Sequence, residues 1–117
     1  MPTARVLVID GDCAIREVLV DVLTDEGYQV VAVPDGVTAL ALVAPAPKVI
    51  LLDAPTPWND GSAFVRAYRN QPGGHAPIIL MSTGTAAGAS AAAGADGVLE
   101  KPFDLAMLFD LVARHAA

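Results

Sequence analysis

Four side chains able to share one chemical task stand at the ends of apolar runs. Val49-Ile50-Leu51-Leu52 is an unbroken apolar stretch that stops on Asp53, and the short β-branched run from Arg5 to Ile9 stops in the same way on Asp10. Pro77 to Met81 ends on Ser82, and Gly97 to Leu99 ends near Glu100 and Lys101. Apolar runs without polar alternation suit strands covered on both faces of a parallel sheet. In such open sheets ligands bind outside the carboxyl ends of the strands, where strand order reverses. Two carboxylates, a hydroxyl and an ammonium then converge on that edge, and their convergence is the functional signal.

The segments between these runs read as the helices that must position them. After the turn Asp10-Gly11-Asp12, residues Ile15, Val18, Leu19, Val22 and Leu23 form one stripe at helical spacing, which Gly27 ends in the usual place for a left-handed cap. Gln29 to Val33 is the next strand, Pro34-Asp35-Gly36 its turn, and Val37 to Ala44 a second helix stopped by Pro45 and Pro47. Past the loop Ala54 to Gly61, a helix opens at Asp60-Gly61-Ser62 and runs through Asn70, with Phe64, Val65 and Tyr68 toward the sheet. Asp104 caps a last helix with a stripe of Leu105, Leu108, Phe109 and Val112. The alanine-rich stretch Thr83 to Gly94 has no large apolar side chain to bury. It should form either a short, weakly docked helix with a mobile start or an alanine-rich helix lying close to the sheet. Strand and helix alternate along the chain, which implies right-handed crossovers and an α/β doubly wound parallel sheet with helices on both faces.

Composition narrows the classes. The chain has 117 residues, room for one domain over 1–117 with a real core but not for a second module. Hydrophobic residues make up 54% and aromatics 5%, so the core is aliphatic. A net charge of -6, and no lysine or arginine between Arg69 and Lys101, argue against a nucleic-acid surface. Cys13 is the only cysteine, which excludes an internal disulfide and a cysteine zinc site and leaves it as a small buried filler. No apolar run is long enough to span a bilayer and no basic leader precedes one, so the expectation is a soluble, cytoplasmic protein without membrane contact.

Val6-Leu7-Val8-Ile9-Asp10, Asp35-Gly36 before Ala39-Leu40, and Leu51-Leu52-Asp53 followed by Pro57 and Asp60-Gly61 continue into Pro77-Ile78-Ile79, Ser82, Gly94-Ala95-Asp96 and Lys101-Pro102-Phe103. No one of these motifs is specific, but in this order and spacing the chain resembles the receiver domain of bacterial two-component response regulators along essentially its whole length. The resemblance implies a flavodoxin-like receiver fold: five parallel strands in the order 2-1-3-4-5, with the first and last helices on one face. It implies a phosphoacceptor rather than an enzyme, with Asp53 taking a phosphoryl group from a histidine kinase or phosphotransfer protein. Lys101 would supply a positive charge, and Ser82 a hydroxyl for a phosphoryl oxygen. The Lys101-Pro102 bond resembles one that is usually cis in the family. Mg²⁺ would be held by Asp53, the backbone carbonyl of Pro55 and, through water, Asp10. Signal would pass to an output protein the sequence does not name.

Three departures from the family pattern modify this expectation. Gly11 stands where a second adjacent acid is usual, which implies a weakened Mg²⁺ site. Asp12, one place later, could reach the metal through water, or it could instead cap the first helix. Val98 stands where the family has a switch aromatic, and the Ser82 to Gly94 segment is shorter than usual. Both imply altered output, for which the loop bearing Trp58 is the alternative surface. The rival reading is a pseudo-receiver, a protein-interaction module that works without phosphorylation. The Asp10-Gly11-Asp12 turn superficially resembles the motif of haloacid dehalogenase-like phosphatases, which need a larger fold with a cap. Flavin binding fails because no hydroxyl-rich phosphate loop follows the first strand.

Overall fold

The computed structural model describes residues 4–44, 46–53, 62–82, 94–100 and 103–116. In chain order these form β1 (Arg5–Ile9), α1 (Cys13–Asp25), β2 (Gln29–Val33), α2 (Gly36–Leu40), β3 (Val49–Asp53), α3 (Ser62–Arg69), β4 (Ile78–Ser82), β5 (Gly97–Glu100) and α4 (Leu105–Ala116). The strands build one sheet in the order β2-β1-β3-β4-β5, and every pairing is parallel. This is the doubly wound receiver topology expected above.

Burial explains why the runs are strands. Val6 to Val8 and Val49 to Leu51 are all at most 2% exposed, as residues in strands covered on both faces must be. Edge strand β2 instead alternates between exposed and half-buried positions before it closes on buried Val33. The pleat divides the core in two. Leu7, Ile9, Ile50, Leu52, Ile78 and Leu80 meet Ala39 of α2 and Phe64, Val65 and Tyr68 of α3. Val6, Val8, Val49, Leu51, Ile79, Met81 and Leu99 meet Leu19 and Leu23 of α1 and Leu108 and Val112 of α4. The first and last helices therefore share a face.

Local signals at the helix ends hold. Asp12 caps α1, its Oδ1 accepting from the Ala14 and Ile15 N–H groups at 2.9 and 3.3 Å. Asp35 accepts from the Thr38 N–H at 2.7 Å and Asp104 from the Met107 N–H at 2.8 Å. Gly27 follows α1 with φ +99°, a left-handed turn that a side chain would strain.

Three expectations need correction. Val18 and Leu105, assigned to core stripes, are 53% and 44% exposed, because they lie outside the strip centred on buried Leu19 and Leu23, or Leu108 and Val112, that packs on the sheet with Ile15, Val22, Phe109 and Leu111 partly buried beside it. The second helix ends at Leu40 rather than Ala44. Its last turn tightens through Ala41 N–H to Thr38 and Leu42 N–H to Ala39. The sequence reason is Pro45, since a proline within a helix would clash with the carbonyl four residues back and the residue before a proline disfavours helix. Cys13 is exposed, its Sγ 3.9 Å from Glu17 Oε1, because it stands with Asp12 and Ala14 on the solvent side where α1 begins, and the core is first met at Ile15. The helix expected within Thr83 to Gly94 falls mostly outside the described residues. Among those described, no helix is long and apolar enough to cross a membrane.

Candidate functional site

Register sets the candidate site. Ile9 pairs with Leu52, Asp53 with Met81, and Ser82 with Glu100, so Asp10, Asp53 and Ser82 end adjacent strands on the same edge. Because β1 runs between β2 and β3, this edge is also where strand order turns back, the point at which open sheets bind ligands.

Asp10 is the one buried charged residue of the described core, at 1% exposure. Its N–H donates to Val33 O at 3.0 Å, its Oδ1 accepts from the Asp12 N–H at 2.8 Å, and its carbonyl accepts from Arg16 Nη1 at 2.7 Å. Asp53 is half-buried at the tip of β3. Two hard carboxylates on neighbouring strand tips suit Mg²⁺, which takes one or two carboxylates and fills its remaining positions with carbonyls and water. No group of three or more His, Cys, Asp or Glu side chains is arranged as a metal centre among the described residues. Among the described residues, the carboxylates that a cation at this edge would meet are those of Asp10 and Asp53. Asp12 is exposed and its Oδ1 is occupied as the helix cap. Lys101, Pro55 and Trp58 lie outside the described residues.

A sequence profile of the response regulator receiver domain matches residues 6–113, nearly the whole sheet and its helices. The chain belongs to the response regulator receiver family. This receiver is similar to the response regulator protein FleR of Pseudomonas aeruginosa, with 37% identity over 117 residues that cover 97% of the chain and 24% of FleR. It is also similar to the response regulator MprA of Mycobacterium sp. strain KMS, with 38% identity over 97% of the chain and 49% of MprA. The receiver thus spans about half the length of MprA and about a quarter of FleR. Among solved structures, the chemotaxis response regulator CheY4 of Vibrio cholerae superposes with a TM-score of 0.82 at 34% identity, covering 97% of this chain and 99% of that one. Response regulator receivers work in two-component signalling, and that is the functional class of this domain.

Two features of the receiver escaped the sequence reading. Arg16 reaches back to the Asp10 carbonyl, and its only sequence signal was a basic residue one helical turn after the Asp12 cap. At the opposite edge Asp96 accepts from the Ile78 N–H and from Arg69 Nη2, both at 2.8 Å, tying the starts of β4 and β5 to α3. Burial by itself pushes the Asp96 carboxyl up. The Ile78 N–H and Arg69, with His115 adding a smaller attraction, outweigh it and hold the carboxyl below the usual range.

Proposed function

We propose that this receiver accepts a phosphoryl group on Asp53 from a histidine kinase or phosphotransfer protein. The supporting observation is the register that brings Asp10 and Asp53 to adjacent strand tips, with Ser82 one strand further on. A carboxylate oxygen of Asp53 attacks phosphorus. The new O–P bond forms as the bond from phosphorus to the donor's imidazole nitrogen breaks, and that nitrogen keeps the electron pair. Catalysis of such a transfer is mostly positioning and charge neutralisation. Lys101 supplies a fixed positive charge, and the Ser82 hydroxyl donates to a phosphoryl oxygen. Asp10, through water, Asp53 and the Pro55 carbonyl would hold Mg²⁺, which neutralises charge on the phosphoryl oxygens when bound. With Gly11 in place of a second acid, that cation is held weakly.

Output follows a different route from the aromatic swing. Val98 is partly buried against the core cluster that α2 and α3 cover, and a valine has no ring to move between inward and outward positions. The Trp58 loop is the surface we assign to readout.

Millimolar Mg²⁺ followed by beryllofluoride or a small phosphodonor should change Trp58 emission in wild type, while Asp53→Asn, which keeps the shape but is no nucleophile, takes up no phosphoryl label. A wild type that takes no label from any kinase or phosphodonor would instead leave a phosphorylation-independent interaction module.

A further inference from the structure

Arg16 is the feature at this edge that the proposed chemistry leaves unused. It stands four residues after Asp12, the spacing of a helical ion pair, and next to Glu17. Among the described residues it nevertheless forms no ion pair with either carboxylate. Its guanidinium instead donates to a neutral acceptor, the backbone carbonyl of Asp10, at 2.7 Å in a part-buried position. The backbone N–H of the same residue donates to Asp12 O at 3.0 Å, so Arg16 grips the β1–α1 turn at two points.

The gripped peptide is the one joining Asp10 to Gly11. Glycine has the freest backbone of any residue, and among the described residues a Cβ at Gly11 would meet only Pro34 O, at 3.8 Å. The turn therefore has its greatest intrinsic backbone freedom directly after the buried carboxylate. The Asp12 N–H that orients Asp10 Oδ1 lies on the far side of that loose point. A charge-assisted bond to the intervening carbonyl fixes the peptide plane and, through it, both Asp10 and the Asp12 amide.

We infer that Arg16 is a positioning residue which pins the Asp10–Gly11 peptide and so holds the Asp10 carboxylate in place for the cation. This rests on the proposed function for the cation alone; the pin itself can be read without metal. Outer partners that orient a ligand commonly matter on the order of tenfold in metal affinity.

Charge and positioning predict opposite signs. Removing a positive charge near the site tightens Mg²⁺ if Arg16 acts only through its charge, whereas releasing Asp10 weakens it. Arg16→Met keeps the aliphatic stem and should weaken Mg²⁺ binding about tenfold, and should speed hydrogen exchange at the Asp12 amide without changing exchange in the middle of α1. Arg16→Lys, with one donor in place of a fork, should fall between Arg16→Met and wild type. In a Gly11→Ala background, where the turn is stiffer, the Arg16→Met loss should shrink. Tighter Mg²⁺ binding in Arg16→Met, or unchanged affinity together with unchanged Asp12 exchange, overturns the inference. If wild type binds no Mg²⁺ at all, the proposed function fails separately, and Asp12 exchange in Arg16→Met then decides for or against the pin.

Discussion

At Gly11 a missing carboxylate and open space coincide. The backbone there lies outside the left-handed region and, among the described residues, the nearest atom to a Cβ is Pro34 O at 3.8 Å, so a Cβ is accommodated without strain. Gly11→Asp should tighten Mg²⁺ binding on the order of tenfold, about 1.4 kcal/mol, and speed phosphorylation by small donors; calorimetric titration at fixed ionic strength measures the first. Asp96 offers a second test, on stability. Asp96→Ala strips the acceptor from the Ile78 N–H at the start of a central strand, a loss of about 1–3 kcal/mol. Arg69→Ala removes only a partly exposed ion pair and should cost under about 1 kcal/mol. Because the Asp96 carboxyl is held below its usual range, its contribution is fully present above the ordinary aspartate value and lost as pH falls through the lowered one. Urea unfolding from pH 7 downward should show wild type and Asp96→Ala converging only in acid.

Among the elements, α2 is the one whose packing its sequence conceals. It is a helix of five residues, and its first residue, Gly36, sits where a Cβ would come within 3.1 Å of Phe64 Cβ and 3.2 Å of Phe64 Cδ1. Phe64 Cβ is fixed to the α3 backbone and cannot rotate aside. Exchanging glycine for alanine can contribute up to about 1 kcal/mol by restricting the unfolded chain, but overpacking costs roughly 1–3 kcal/mol. Gly36→Ala should therefore be destabilised by about 1 kcal/mol, read as a lower urea midpoint with an unchanged slope. The Asp35-Gly36 pair reads in sequence as a turn; that the glycine is needed for contact with α3 required the third dimension. Strand identities and helix caps were legible because each rests on a few consecutive residues. The exposure of Val18 and Leu105 was not, because it depends on how wide a strip of each helix the sheet can cover.

For the whole molecule, the two clusters share one sheet and each strand contributes alternate residues to both, so neither can melt alone. Leu51, 0% exposed at the centre of β3, should cost about 2–5 kcal/mol when cut to alanine. That is a large share of the roughly 5–15 kcal/mol typical of a domain. Loss of helical and tertiary signal should remain coincident in Leu51→Ala. Separate transitions would contradict the shared-sheet account.

The sequence by itself determined the alternation of strands and helices, the acids and hydroxyl at the strand ends, and the missing acid at Gly11, since local pattern and side-chain chemistry are written in adjacent residues. The family resemblance carried strand order and residue roles. Tertiary structure alone decided that Cys13 faces solvent and that Arg16 bends back onto Asp10. Both depend on how α1 is seated against the sheet, which is set by packing that no spacing along the chain records.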